Sequence, residues 1–286
     1  MSGEGAFYPL TVLVRCSAAS RGAGAPFVVN PCSEVDVLGP QHGSATWLPV
    51  WTEPDLKAYH AAHGRWPGLG FTNVTSAQTL DPFDPGIAEP DMTYSLPCRI
   101  GYESSASGDI SYTLWYGDAD LTSDAAWDPT LKVLPRGPGM PPADTSVASN
   151  ASEAQVYVLI GAGVDEAPFV ISPTNEVDAI GPETTSIRFV PVWTEGVLSG
   201  YVETHDGAWP ELAFTAFAEK SDNTDVIGQP TPQPDGSLIL PVRSYANLSQ
   251  ARDIGYTLYF ADREISGEQP WDPTLKILPR GTGQPG

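Results

Sequence analysis

The chain has 286 residues and a mass of 30.4 kDa, enough for two ordinary domains, and its 41% hydrophobic content can fill packed cores. Thirty-five acidic residues against 14 basic ones give a formal charge of -21, which excludes DNA, RNA and anionic membrane surfaces as direct partners. No apolar run reaches the roughly 18 to 20 residues that span a bilayer, and the opening MSGEGAFYPLTVLVRC lacks a basic stretch ahead of an apolar one, so neither export nor membrane insertion is expected.

The dominant feature is a duplication. At an offset of 142, Pro26-Phe27-Val28 meets Pro168-Phe169-Val170 and Pro49-Val50-Trp51-Thr52-Glu53 meets Pro191-Val192-Trp193-Thr194-Glu195. Single-residue insertions then move the register, so that Trp66-Pro67 meets Trp209-Pro210, Tyr112-Thr113-Leu114 meets Tyr256-Thr257-Leu258, and WDPTLK followed by LPRG recurs from Trp127 and from Trp271. A period this long suits two globular domains rather than a solenoid. The expected boundaries are 7–137 for the first domain, a Pro-, Gly- and Ser-rich linker at 138–154, and 155–283 for the second. Acidity is shared between them, with 16 acidic and 7 basic residues through Ala148 and 19 and 7 after it. This reads as a solubilising surface rather than the carboxylate rows of a nucleic-acid mimic.

In chain order, strands are expected at Thr11–Arg15, Phe27–Val29 and Thr46–Trp51. Pro49 inside the last of these, and Pro191 inside its counterpart Ile187–Trp193, suggest an edge strand or a bulge. A helix should follow, with Thr52 as N-cap, Asp55 three residues on, Pro54 in the first turn, Leu56, Tyr59 and Ala62 or His63 on one face and Gly64 closing it. The second copy keeps Thr194, Leu198, Tyr201, His205 and Gly207 but adds Gly196 and Gly200, each worth about 1 kcal/mol against helix relative to Ala. Further strands are expected at Leu69–Asn73, Met92–Ile100 and Ile110–Tyr116, and in the second copy at Val156–Ile160, Phe169–Ile171, Leu212–Phe217, Ser237–Arg243 and Ile254–Phe260. The expected class is α+β: two homologous domains, each an antiparallel or mixed β-sheet with one main helix. Pro and Gly together make about a fifth of the residues, so much of the remainder should be turns and ordered loops.

The order strand, turn, then LPVWTEPDLKAY or VPVWTEGVLSGY, then Trp-Pro and another strand resembles the SseB-type domains found in many actinobacterial proteins. The resemblance covers about 40 residues per copy and does not extend to WDPTLK. It implies a bacterial, non-enzymatic module with secretion-associated, regulatory or protein-binding roles, and it carries over no catalytic residue.

Candidate chemistry can be weighed by asking what both copies keep. Cys16, Cys32 and Cys98 all lie in the first copy, and Val242 and Thr174 stand opposite Cys98 and Cys32, as suits structural thiols; a Cys16–Cys98 bridge and a reactive or metal-binding thiol are the alternatives. The odd count without paired spacing points to a reducing, cytoplasmic setting. His60 and His63 make an HxxH spacing, but His60 aligns with Val202, which removes zinc and leaves His63 and His205 to a helix C-terminus. GxSxG, HExxH, phosphate-loop and dinucleotide patterns are absent from the sequence. Asp81, Asp84, Glu89 and Asp91 fit no calcium-loop spacing, and the second copy offers only Asp222, Asp225 and Asp235.

The polar residues common to both copies are Glu34 and Glu176, Asp36 and Asp178, Glu53 and Glu195, Arg99 and Arg243, Asp118 and Asp262, Asp128 and Asp272, Lys132 and Lys276, and Arg136 and Arg280. Caps, turns and ion pairs account for most of them. The repeated segments are either scaffold or a binding edge for a protein, its candidate residues being Trp127, Asp128, Lys132, Arg136, Trp271, Asp272, Lys276 and Arg280. The functional expectation is therefore a non-catalytic tandem protein with no cofactor, binding a protein partner of basic character in a secretion- or toxin-related setting. A structural subunit of a phage particle or secretion apparatus is the alternative.

Overall fold

The computed structural model describes residues 8–17, 28–31, 35–76, 82–99, 107–117, 119–121, 129–135, 152–162, 169–172, 177–181, 183–219, 226–243, 251–260, 263, 264 and 274–278. The chain divides into two compact units, Met1–Thr145 and Ser146–Gly286. Of the expected linker, residues up to 151 lie outside the described part, whereas Glu153 and Ala154 already belong to a strand.

The first unit contains β1 (Tyr8–Ser17), β2 (Val28–Pro31), β3 (Val35–Leu38), β4 (His42–Trp51), α1 (Glu53–His63), β5 (Asn73–Ser76), β6 (Ile87–Ala88), β7 (Tyr94–Pro97), β8 (Gly108–Tyr116), β9 (Ala119–Asp120) and β10 (Thr130–Val133). The second repeats that order as β11 (Glu153–Ala162), β12 (Phe169–Ser172), β13 (Val177–Ile180), β14 (Ser186–Trp193), α2 (Glu195–Thr204), β15 (Phe214–Glu219), β16 (Thr231–Pro232), β17 (Leu238–Pro241), β18 (Arg252–Phe260), β19 (Arg263–Glu264) and β20 (Thr274–Ile277).

Each unit has two sheets. In the first unit β2-β1-β4-β7-β6 form one, in which β1 and β4 run parallel and the other pairs antiparallel. The other is β3-β10-β8-β5, with β9 also on β8, and here β3 and β10 are the parallel pair. The second unit reproduces both sheets, strand for strand. Even the register is kept: Val12 lies opposite Trp47 and Cys16 opposite Trp51, as Val156 lies opposite Phe189 and Ile160 opposite Trp193.

The core of each unit is sheet against sheet. On β8, Ile110, Tyr112 and Leu114 are buried while Ser111, Thr113 and Trp115 between them are partly exposed, the period-2 pattern of a strand with one covered face. Trp47 on β4 meets Tyr112 edge-on, ring centroids 5.3 Å apart, and in the second unit Phe189 meets Tyr256 at 5.2 Å and Phe217 at 5.7 Å. Fully burying side chains of this size contributes roughly 1.5 to 3 kcal/mol each, so the facing sheets dominate the stability of the unit.

This overturns the α+β expectation. The described chain is mostly strand, and its helices have only 11 and 10 residues. On α1 the buried residues are Glu53, Leu56 and Tyr59, and Tyr59 packs 6.1 Å from Trp51 at the end of β4. So narrow an apolar face plugs a sandwich and does not make a layer. The second sheet supplies the missing layer, and two of its five strands come from segments where no strand was expected: EVDVL yields β3, and DPTLKV yields β10.

Within those limits the helix follows its local signals. Thr52 Oγ1 accepts from the Asp55 N–H at 3.3 Å, and Gly64, at φ 64°, returns its N–H to His60 C=O at 2.8 Å, the left-handed stop that glycine adopts most easily. Pro49 and Pro191 do not mark edge strands: β4 has β1 on one side and β7 on the other, and β14 has β11 and β17. Because β7 pairs only with Ser44 to Trp47, and β17 only with Ser186 to Phe189, neither proline interrupts those ladders. The strand expected at Leu69–Asn73 starts instead at Asn73, and residues 69–72 are irregular.

Candidate functional site

Six of the eight residues nominated for partner binding, Trp127, Asp128, Arg136, Trp271, Asp272 and Arg280, lie outside the described residues. The other two occupy matching positions on β10 and β20. Lys132 stands opposite Asp109 of β8 on one side and Val37 of β3 on the other; Lys276 stands opposite Asp253 and Ala179. Their strands are flanked on both sides, and each lysine faces a carboxylate across the antiparallel pair, an arrangement worth a few tenths of a kcal/mol to sheet register. Asp109 and Asp253 were not singled out from the sequence, although Asp-Ile recurs there at the same offset of 144 as the tyrosines that follow.

Other polar groups common to both copies also serve the scaffold. Thr52 and Thr194 cap their helices. Asp91 Oδ1 accepts from the N–H and the hydroxyl of Thr93 at 3.2 and 2.7 Å, and Asp235 Oδ1 does the same for Ser237 at 3.0 and 2.6 Å, closing equivalent turns. Burial pulls the Asp235 carboxyl upward, but the Ser237 hydrogen bonds and nearby Arg188 outweigh it and hold the pKa below the ordinary value. Arg188 is raised, first by its 2.9 Å hydrogen bond to Glu153. Glu53 and Glu195 are both buried in the first turn of their helices, where the dipole favours a carboxylate.

Asp36 differs from these. It lies in register with buried Leu131, so its side chain is directed to the inner face of the second sheet. Although the residue keeps part of its surface exposed, burial of the carboxyl raises the pKa from 3.8 to about 7. The side chain of its partner in the duplication, Asp178, lies outside the described residues.

The histidines do not converge. His60 packs on Trp66 and His63 on Tyr59, each with centroids 4.4 Å apart, while His205 stacks on Tyr201 at 3.8 Å. Among the described residues there is no group of three or more His, Cys, Asp and Glu able to hold a metal ion. In the acidic loop, Asp84 sits 3.9 Å from Arg99, Asp91 caps its turn, and Asp81 lies outside the described residues. The expected Cys16–Cys98 alternative fails on distance: Cys16 lies beside Trp51 and the Cys98 N–H bonds to Gly43 C=O, so eight residues of β4, roughly 26 Å, separate them. Cys32 is outside the described residues.

One surface stands apart. Among the described residues the exposed large apolar side chains are Ile87 and Met92, 49% and 38% exposed, and both belong to the β6–β7 hairpin at the margin of the first sheet. Asp84 and Asp91 nearby are also exposed. Met92 has φ 71°, an uncommon backbone state for a residue with a side chain.

No family model and no curated protein sequence matches the chain. Solved structures similar to it include an endo-fucoidan hydrolase of glycoside hydrolase family 107, 12% identical over 74% of this chain and 28% of that chain with a TM-score of 0.21. InvD from Yersinia pseudotuberculosis is 16% identical over 76% and 50%, also at 0.21, and the blue copper oxidase from Nitrosomonas europaea is 9% identical over 94% and 86% at 0.21. The chain thus spans less than a third of the hydrolase. At this TM-score the likenesses indicate neither a shared fold nor a shared activity. Among the described residues, no helix is long and apolar enough to cross a membrane.

Proposed function

We propose that the chain is a non-catalytic tandem protein that binds a protein partner. One observation carries this: several polar side chains that both copies keep serve the scaffold, Thr52 and Thr194 as caps and Asp91 and Asp235 in turns, while Lys132 and Lys276 hold matching cross-strand positions; of the shared groups, Asp36 stands apart. What was retained is a scaffold, and two copies of one scaffold present two related surfaces that can engage a partner bivalently. The resemblance to SseB-type domains supports the same reading from the sequence side, and the net charge of -21 favours a partner of basic character. The odd cysteine count favours a cytoplasmic setting.

The test is recovery of a stoichiometric partner by a tagged full-length chain from the organism that encodes it, with light scattering of the purified chain alongside. A monomer or dimer that brings down one defined protein is the expected result. A large ordered assembly of the chain by itself would replace this reading with that of a structural subunit. Turnover of a substrate lost on changing a single carboxylate would overturn both.

A further inference from the structure

The margins of the two first sheets can be compared residue by residue. In the first unit the Glu89 N–H bonds to Thr93 C=O at 2.9 Å, and the Gln233 N–H bonds to Ser237 C=O at 2.8 Å in the second. Ladder bonds alternate along an antiparallel strand, so Ile87 and Thr231, two residues back, also bond inward to β7 and β17. The intervening Ala88 and Pro232 direct their backbone groups away from the sheet. In the second unit that position has no N–H to offer, and the alternate positions around it are also proline: Pro230, Pro232 and Pro234 stand where the first unit has Gly86, Ala88 and Pro90. Proline at outward-facing positions is a common way to blunt a sheet edge against added strands.

Apolar and acidic residues at the two margins also differ, while Pro85 stands where the second unit has Gln229. Ile87 and Met92, exposed and apolar, become Thr231 and Gly236; Asp84 and Glu89 become Gly228 and Gln233; only Asp91 persists, as Asp235, because it holds the turn. The first unit therefore combines, at one edge, an outward backbone N–H and C=O, two exposed apolar side chains and three acids, while its twin keeps a single acid and blocks the backbone. Among the described residues β6 pairs with β7 alone.

We propose that the β6 edge of the first unit is the docking strand of this protein, and that its occupant is a short extended segment of a basic partner with alternating cationic and apolar residues, added antiparallel or parallel to Ile87–Ala88. Backbone bonds to Ala88 give affinity, Ile87 and Met92 receive the apolar side chains, and Glu89 and Asp91 select positive charge, Asp84 being shared with Arg99 3.9 Å away. Pro85 and Pro90 bracket the edge and restrict the added strand to a few residues. This assignment rests on the protein-binding reading above but confines the contact to the first unit, so that engagement through this edge is monovalent.

The probe is a dye-labelled, end-blocked heptapeptide, Lys-Val-Lys-Val-Lys-Val-Lys, titrated by fluorescence anisotropy with the full chain. Ala88→Pro, which copies the second unit, is expected to weaken binding at least tenfold, as is the pair Ile87→Thr with Glu89→Gln, whereas Pro232→Ala leaves it unchanged. The second unit carries proline at the same place, so Ala88→Pro should fold; a heptapeptide N-methylated at alternate residues tests the edge without altering the protein and should bind at least tenfold more weakly than the parent peptide. Binding within twofold of wild type by Ala88→Pro, equal binding of the methylated peptide, or no binding of the parent peptide would each overturn the assignment. If Ala88→Pro still recovers the partner that the wild-type chain recovers, the protein-binding reading survives and the edge is wrong. If the wild-type chain recovers no partner while the peptide responds as expected, the edge stands and that reading fails.

Discussion

At the entry to each helix the two units solve one packing problem in opposite ways. In the first, Arg15 on β1 reaches Asp55 in the first turn of α1, Nη2 to Oδ2 at 3.0 Å, and the same oxygen accepts from the Thr52 hydroxyl at 2.7 Å. In the second, the aligned residues are Leu159 and Val197, and Thr194 caps the helix through the Val197 N–H with no carboxylate at the position of Asp55. Both ion-pair side chains are about a quarter to a third exposed, so the pair is partly screened by solvent and an apolar pair can replace it at little cost. The network around Arg188 reverses the exchange: Glu153, Asp235 and Ser237 surround it in the second unit, where the first has Thr46 bonded to Ser95 at 2.8 Å. Chemistry at these places is interchangeable, whereas backbone pairing is not, and the inward positions exchange among apolar residues, as Trp47 and Cys16 do with Phe189 and Ile160.

The strongest way to break that comparison is at a position both units keep. Trp51→Ala and Trp193→Ala each empty a fully buried site, and either should cost about 3 to 5 kcal/mol in the unit that carries it, read by urea unfolding. Near-equal losses would support equivalent cores; a loss under 1 kcal/mol in one unit would show that the two are not used alike.

Asp36 should give the next largest effect. A carboxyl whose folded pKa is raised binds its proton more tightly folded than unfolded, so its favourable contribution is complete below about pH 4 and is lost as pH climbs toward 7. Asp36→Asn should therefore be more stable than wild type by a few kcal/mol at pH 8 and nearly equal to it at pH 4. Unfolding of both proteins across that range checks the sign; a variant that tracks wild type at every pH would mean that the carboxyl is hydrated.

Smaller effects sharpen the helix comparison. Asp55→Val or Arg15→Leu alone strands one partner of the pair and should cost about 1 to 2 kcal/mol, while the double change, which installs the second unit's residues, should recover most of that loss in a double-mutant cycle. In α2, a Cβ on Gly196 or Gly200 meets nothing within 4 Å, so Gly196→Ala and Gly200→Ala should each stabilise by up to about 1 kcal/mol in thermal unfolding.

The sequence alone determined the duplication, the helix limits and much of the strand inventory. These are local or self-comparing signals: Thr52 and Gly64 act on the backbone beside them, and matched runs such as PVWTE need no fold to be seen. What it did not determine was how strands pair. Nothing local in DPTLKV says that Leu131 will lie between Asp36 and Ile110, ninety-five and twenty-one positions away, because partner choice is settled by which apolar faces meet after the chain has turned back. For the same reason the acidic loop showed in the sequence only that its spacing fits no calcium loop. That Ala88 and Pro232 face outward follows from ladder parity, and parity exists only once β6 and β16 have taken their places beside β7 and β17.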